Sequence, residues 1–450
     1  MGTTKYYGVT AKALAVAAIA ITMTASAWAA GKEKVLLSFQ GPNGGNPTAG
    51  VIADAEGNLY GAAADGGEFG FGNVFKLTQN KNGTWTQTVL YSFKGDDASD
   101  GQVPLASLIL DGEGNLYGTT GGGGTHPPIS DGTVFKLTPT KSGAWTETIL
   151  HSFNCTEGQD DNDGCAPYSY LVFDKAGNLY GTTNKGGGGD FTTFCQNGCG
   201  TVFKLAPNKD GTWTESLIHT FPHGKGGTPD GQNPYAGLII DDAGNLYGTT
   251  YIGGHDDAGV VFKLTPNSNG TWKETVLFSF RATINNPKDG LAAYAGLTMD
   301  KSGNLYGTTR NGGGKVTGGG TVYKLTPTAK GEWQETVIHA FPTPRNHDGE
   351  FELTGVTMDA AENLYGATTF GGGKQEATCQ DFDGCGVVYK LSPNADGTWS
   401  ESILHAFQNS ADGGEPELDR LLVDSAGNVY GTTFFGGTGA GGGTVFEITP

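Results

Sequence analysis

Seven times this chain writes a variant of one phrase, clearest at Asp241-Asp242-Ala243-Gly244-Asn245-Leu246-Tyr247-Gly248-Thr249-Thr250. The tyrosines of its Asn-Leu/Val-Tyr-Gly core are Tyr60, Tyr117, Tyr180, Tyr247, Tyr306, Tyr365 and Tyr430, spaced by 57, 63, 67, 59, 59 and 65 residues. Self-similarity at a near-fixed period signifies stacked or ring-arranged repeats, and any local motif has to be weighed against it. The 77 glycines fall at fixed phases of the repeat, which makes them turn residues rather than a mark of disorder.

Each unit carries four strand-like segments separated by turn signals. In the fourth unit they run from Tyr235 to Asp241, Asn245 to Tyr251, Val260 to Thr265 and Thr271 to Phe280. The Asp-x-x-Gly and Asn-x-Asn-Gly joints between them are tight-turn chemistry, with Gly supplying positive φ and Asx side chains bonding the backbone. The last segment alternates with the two-residue period of a half-buried strand, and no segment sustains a 3.6-residue apolar period. The chain therefore reads as all-β, a seven-bladed β-propeller with four-stranded blades. Its last unit stops at a third strand, Thr444 to Thr449, while Lys34-Val35-Leu36-Leu37-Ser38-Phe39 matches the end of a fourth strand such as Thr88 to Phe93. The amino-terminal strand is thus expected to complete blade seven, closing the ring and removing an exposed edge. Trp85, Trp145, Trp213, Trp272, Trp333 and Trp399 share one phase of the fourth strand and read as packing residues.

The phrases Asn-Leu-Tyr-Gly-Thr-Thr, Gly-Thr-Val-Phe-Lys-Leu-Thr-Pro and Gly-x-Trp-Thr-Glu-Thr-Val-Leu-x-Ser-Phe resemble the choice-of-anchor tandem repeat of the GloVer type. The resemblance covers essentially the whole chain after its leader. It implies a secreted bacterial β-propeller, often carrying a carboxy-terminal anchoring segment, and it implies no established reaction.

Residues 1–29 read as a cleaved export signal: Lys5 and Lys12, an apolar run from Ala13 to Met23, then small residues through Ala29. The apolar run is too short to span a bilayer comfortably. Residues 30–450 are expected to form one propeller domain, secreted or periplasmic, with no lipid anchor near the cleavage point and no carboxy-terminal anchor after Pro450. Six cysteines form three sequence-local pairs, Cys155 with Cys165, Cys195 with Cys199 and Cys379 with Cys385, read as loop-closing disulfides of an oxidising compartment. No matching His or Cys pair stands beside them, so no metal is expected.

The formal charge of −19 becomes −21 once the leader, with two lysines and no acid, is removed. Such acidity argues against nucleic acid or an anionic membrane as partner. The glycine run 121–124 lacks the strand–helix context of a phosphate loop, so no nucleotide cofactor is expected. Neither a Gly-x-Ser-x-Gly elbow nor a His-Glu-x-x-His motif occurs. A monomer is expected.

Function is sought where the repeat is broken, on the face bearing the longer loops, here called the top. His151, His219, His339 and His405 recur two residues before the fourth-strand Phe and read as structural, whereas His126, His223, His255 and His347 fall in top-face loops. Arg281, Arg310, Arg345 and Arg420 also map to that side. Four residues before each turn Asp stand Gly50, Ser107, Tyr170, Gly237, Gly296, Gly355 and Arg420, so Tyr170 and Arg420 break a small-residue position in blades three and seven. Tyr251 and Arg310 vary the position after the second strand. Two readings follow. One is a binding protein for a glycan or other extracellular ligand, with Tyr170, Arg281, Arg310, Arg345 and Arg420 as contacts. The other is a polysaccharide lyase or other carbohydrate-active enzyme on the same face, with Arg310 and Arg345 clamping a uronate carboxylate, His255 or His347 as base and Tyr251 as acid.

Overall fold

The computed structural model describes residues 31–450 except 96–98, 126–130, 156–161, 189–197, 223–229, 282–288, 314–317, 342–348, 350–353, 373–377, 380–381, 417–418 and 440. The leader-like residues 1–29 lie outside the described residues.

The Asp-x-x-Gly-Asn-Leu-Tyr phrase builds its own turn. In unit four Asp241 Oδ1 accepts the backbone N–H of Ala243 and of Asn245, both at 2.9 Å. Its Oδ2 accepts the Asn245 amide at 2.7 Å and the Tyr247 hydroxyl at 2.9 Å. Six other aspartates repeat the arrangement, from Asp54 with Asn58 and Tyr60 to Asp424 with Asn428 and Tyr430. One carboxylate therefore gathers four donors and locks the first strand to the second. The glycine of the turn takes a left-handed φ, +80° at Gly244; in blade six that place is held by Glu362, with φ 63°.

The glycine after each tyrosine has a different reason. A Cβ on Gly248 would sit 2.6 Å from Phe262 Cζ, because the third-strand ring lies directly over the second strand. That ring in turn receives the terminal Phe of the preceding blade edge-on, Phe221 against Phe262 at 5.3 Å between centroids. The same pairing joins every blade to the next, including Phe407 with Phe446 and, across the ring junction, Phe39 with Phe75. All seven terminal phenylalanines are essentially inaccessible. Seven aromatic contacts, five edge-to-face and two tilted, thus form the core between blades.

The strands assemble into seven four-stranded antiparallel sheets, with no helix among the described residues. In each, a two-residue inner strand, a five-residue second strand, a longer third strand and an outer fourth strand follow in order, for example Ile239–Ile240, Leu246–Thr250, Val260–Pro266 and Trp272–Ser279. A bulge at one position of every outer strand, at Leu277 opposite the Val261–Phe262 step in blade four, adds the local twist a propeller blade needs. Blade seven is composite as expected: Lys32–Ser38 pairs antiparallel with Thr444–Thr449, from Lys32 opposite Thr449 to Ser38 opposite Thr444. Threonine hydroxyls clasp neighbouring blades, and Thr432 Oγ1 donates to the Ala49 carbonyl at 2.9 Å across the same junction.

Two disulfides are formed among the described residues, Cys155–Cys165 and Cys379–Cys385. Cys199 is also disulfide-bonded, and Cys195, its expected partner, lies outside the described residues.

Between consecutive outer strands the repeat carries a second device. Among the described residues, the Asp of an Asp-Gly loop acts on a half-buried Glu of the next blade, and at Asp100 and Asp163 it also closes its own loop. Asp100 accepts the Tyr91 hydroxyl at 2.8 Å and the Lys94 N–H, and Asp163 meets His151 at 2.7 Å and the Asn154 N–H. The facing carboxyls, chiefly through burial and then through these aspartates, are pushed up: Glu147 and Glu215 to about 7, Glu274 and Glu335 to about 8. At the junction of blades seven and one the pair is Asn43 and Gln87 instead. There the Asn43 amide donates to Gln87 Oε1 at 2.9 Å, and the Gln87 amide donates to the Asn43 carbonyl at 2.7 Å.

Candidate functional site

The inner strands converge on the propeller axis, and a layer of three side chains closes the channel midway. Tyr170, 4 % exposed, extends from blade three past Gly237 of blade four until its hydroxyl lies against Gly296 of blade five. Glycine is required at both places, since a Cβ would stand 2.5 Å and 2.4 Å from the tyrosine. Arg420 comes from blade seven, and its guanidinium carbon lies 3.7 Å from the centre of the Tyr170 ring, a close cation–π contact. Burial raises the Tyr170 hydroxyl above its ordinary value, and Arg420 opposes that rise, so the phenol stays neutral.

Asp419, one residue earlier, completes the layer. Its carboxylate accepts the backbone N–H of Ser107 at 3.0 Å, the Ser107 hydroxyl and the Gly50 N–H at 3.4 Å. Its carbonyl takes the Gly355 N–H at 2.9 Å. Blade seven thus reaches blades one, two and six through a single residue.

Above this layer, two positions earlier on the inner strands, three consecutive blades each present a tyrosine. Tyr168 and Tyr235 are stacked at 6.2 Å, and Tyr235 and Tyr294 at 4.6 Å. Tyr251, at the end of a second strand, meets Tyr235 edge-on at 5.5 Å and Tyr294 at 6.0 Å. All four are half-buried. Burial raises the Tyr235 hydroxyl, while a hydrogen bond with Asn184 and the nearby charge of Arg310 lower it. Half-exposed phenol rings with one cation beside them make an apolar, hydrogen-bonding arc around the top mouth of the channel.

The sequence-expected site residues distribute as follows. Tyr170 and Arg420 meet. Tyr251 and Arg310 belong to the tyrosine arc. His255 stands at the outer rim of blade four, exposed, with its N–H on Ser279 Oγ at 2.8 Å and its Nδ1 2.7 Å from Asp256. Arg281, also exposed, follows the outer strand, and its charge only partly offsets the burial that raises the Asp289 carboxyl. Arg345, His347, His126 and His223 lie outside the described residues. The four histidines read as structural do pack edge-on against the Phe two residues later, as His219 does with Phe221 at 4.6 Å. Three arc tyrosines and Asp419 went unnoticed in the sequence, although they stand at offsets of six and five from the turn Asp where other blades carry Thr48, Leu105, Ala49 or Ala106.

A family described as the Gloeobacter/Verrucomicrobia repeat matches residues 3–229 and 192–383. The chain belongs to this family. No curated protein matches this Gloeobacter/Verrucomicrobia repeat chain. Among solved structures it is similar to PorZ, a bacterial surface component of the type-IX secretion system of Porphyromonas gingivalis, at 15 % identity and a TM-score of 0.47 over 92 % of this chain and 48 % of that one. The chain thus spans about half the length of PorZ. It is also similar to a luciferin-regenerating enzyme at 13 % identity and a TM-score of 0.41, covering 93 % and 95 % of the two chains.

Proposed function

We propose that this repeat protein is exported and binds an extracellular glycan at the top mouth of its channel. The observation that carries the reading is the stacked arc of Tyr168, Tyr235 and Tyr294 with Tyr251 set against it. Ligand sites are concave and mainly aromatic or apolar, with a few placed polar groups. Tyrosine adds a flat apolar face and a hydroxyl at small entropic loss, which suits a sugar's C–H face and its hydroxyl rim. Arg310 beside the arc favours a glycan bearing carboxylates, since a guanidinium engages a carboxylate through two parallel hydrogen bonds. The leader-like residues 1–29 and the local disulfides support export.

The test is a binding titration against a panel of neutral and uronate-containing polysaccharides. Tyr235→Ala is expected to weaken binding by about tenfold or more, as loss of a central aromatic contact does. Arg310→Gln is expected to weaken the acidic members selectively. A panel with no binder, or a Tyr235→Ala protein that binds as well as the parent, would overturn the reading. Following the same mixtures for absorbance of unsaturated uronate separates a lyase from a binding protein.

A further inference from the structure

Below the Tyr170–Arg420 layer the channel opens again into a well of about 530 Å³, lying toward the face of the Asp-x-x-Gly turns. Its walls come from the inner strands of blades one to four and are almost wholly aliphatic, including Ile52, Ile109, Val172 and Ile239. Its floor is the exception, made by the Tyr170 ring and the Arg420 guanidinium. Asp419, the carboxylate nearest in sequence, is engaged by Ser107 and Gly50, and no carboxylate pairs with Arg420 among the described residues. Arg420 is nevertheless exposed, and it lines the well. A guanidinium exposed at the end of an apolar pocket offers a carboxylate two parallel charge-assisted hydrogen bonds.

We propose that this well is a second binding site, separate from the glycan-binding mouth, for a small aliphatic or aromatic carboxylate whose head group pairs with Arg420. Its volume lies within the roughly 300–1,000 Å³ typical of small-molecule pockets, and an alkyl or aryl body would replace water against the isoleucine walls. The turn aspartates stand at this end of the inner strands and would favour a cation at long range. Each has its oxygens occupied by two backbone N–H groups, an Asn amide and a Tyr hydroxyl, as Asp174 has with Ala176, Asn178 and Tyr180. Acting at long range they are screened at ordinary salt, whereas direct contact with the guanidinium is not.

The experiment is calorimetric titration of the full chain with decanoate, decan-1-ol and decylammonium. Decanoate is expected to bind one to one, about tenfold or more tighter than the alcohol, the increment of a charge-assisted hydrogen-bonded pair. Arg420→Gln should abolish that preference, and Ile109→Trp, which fills the well from its wall with Arg420 intact, should abolish binding of both. Tyr235→Ala should leave decanoate binding unchanged, so failure of the glycan reading and failure of this one are distinguishable. Equal binding of decanoate and decanol, tighter binding of decylammonium, no binding at all, or a preference that survives Arg420→Gln would overturn the assignment.

Discussion

Two backbone positions show how narrowly the repeat chooses its residues. Glu362 occupies, at φ 63°, the turn position that glycine holds in the other blades. Left-handed backbone costs an ordinary residue about 1–2 kcal/mol, so Glu362→Gly is expected to stabilise the protein by about 1 kcal/mol, read as a rise in the midpoint of chemical denaturation. An unchanged or lowered midpoint would show that the side chain repays the strain. Gly248→Ala is the converse case. Its backbone is unexceptional, but the added methyl meets the Phe262 ring at 2.6 Å, so a loss of about 1–3 kcal/mol is expected from overpacking. Both effects follow from contacts of one residue, yet only the first is readable from sequence. The broken Asp-x-x-Gly is visible in the letters, whereas the ring over Gly248 belongs to a strand more than ten residues away.

Between outer strands the relevant unit is the carboxyl pair, and it makes the propeller respond to pH. The folded state raises Glu147 and Glu215 to about 7 and Glu274 and Glu335 to about 8, so between the ordinary carboxylate range and those values it holds protons that the unfolded chain has released. Their contribution is therefore complete only below the ordinary carboxylate range and is lost as pH rises from there toward 7 and 8. The turn aspartates act in the opposite sense. Hydrogen bonds hold them below their ordinary value despite some burial, and their contribution is lost as pH falls below about 4. His219, lowered by burial, adds a smaller loss on the acid side. Thermal stability is thus expected to peak near pH 5 and to fall toward pH 9, and Glu274→Gln with Glu335→Gln should flatten that decline. A melting temperature that holds or rises from pH 5 to pH 9 would refute it. Because both partners are neutral near pH 7, the 3.8 Å approach of His219 to Glu274 is not an ion pair under those conditions. The amide pair Asn43–Gln87 joins the corresponding positions by hydrogen bonds without a titratable proton. That exchange of both partners together was visible in the sequence, but nothing in either segment alone placed one against the other.

For the molecule as a whole, the seven blades and the composite last blade were legible because the repeat reports itself: tyrosine, tryptophan and phenylalanine mark fixed strands. Tyr170 and Arg420 were legible as departures from a small-residue position, and their meeting across the axis is what such departures permit. Tyr168, Tyr235 and Tyr294 were less so, because tyrosine at an inner-strand start resembles ordinary packing until three neighbouring blades are brought side by side. His255 and Arg281 illustrate the reverse. Top-face loops are their shared address in sequence, but the radius from the axis, which sets them at the rim, is not encoded by loop membership. Ring closure gives the prediction at this scale. Leu36 and Phe39 are buried, and Phe39 supplies one of the seven inter-blade aromatic contacts. Phe39→Ala is expected to lower stability by about 3–5 kcal/mol, and deleting residues 32–38 should expose the edge of Thr444–Thr449 and promote self-association, measurable by light scattering. A deletion that melts like the parent and stays monodisperse would contradict a closed ring.

The composite blade also orders events in time. Its outer strand is among the first segments of the fold to be synthesised and its partner, residues 444–449, among the last. Blades one to six can form as they emerge, each leaning on the one before, but the seventh interface has no second half until residues 444–449 have been made. Until then the strand 32–38 is an unpaired edge seeking a complement, and another molecule's 444–449 would serve it as well as its own. Transit as an extended chain, with folding deferred until both segments arrive together, would keep that exchange from happening.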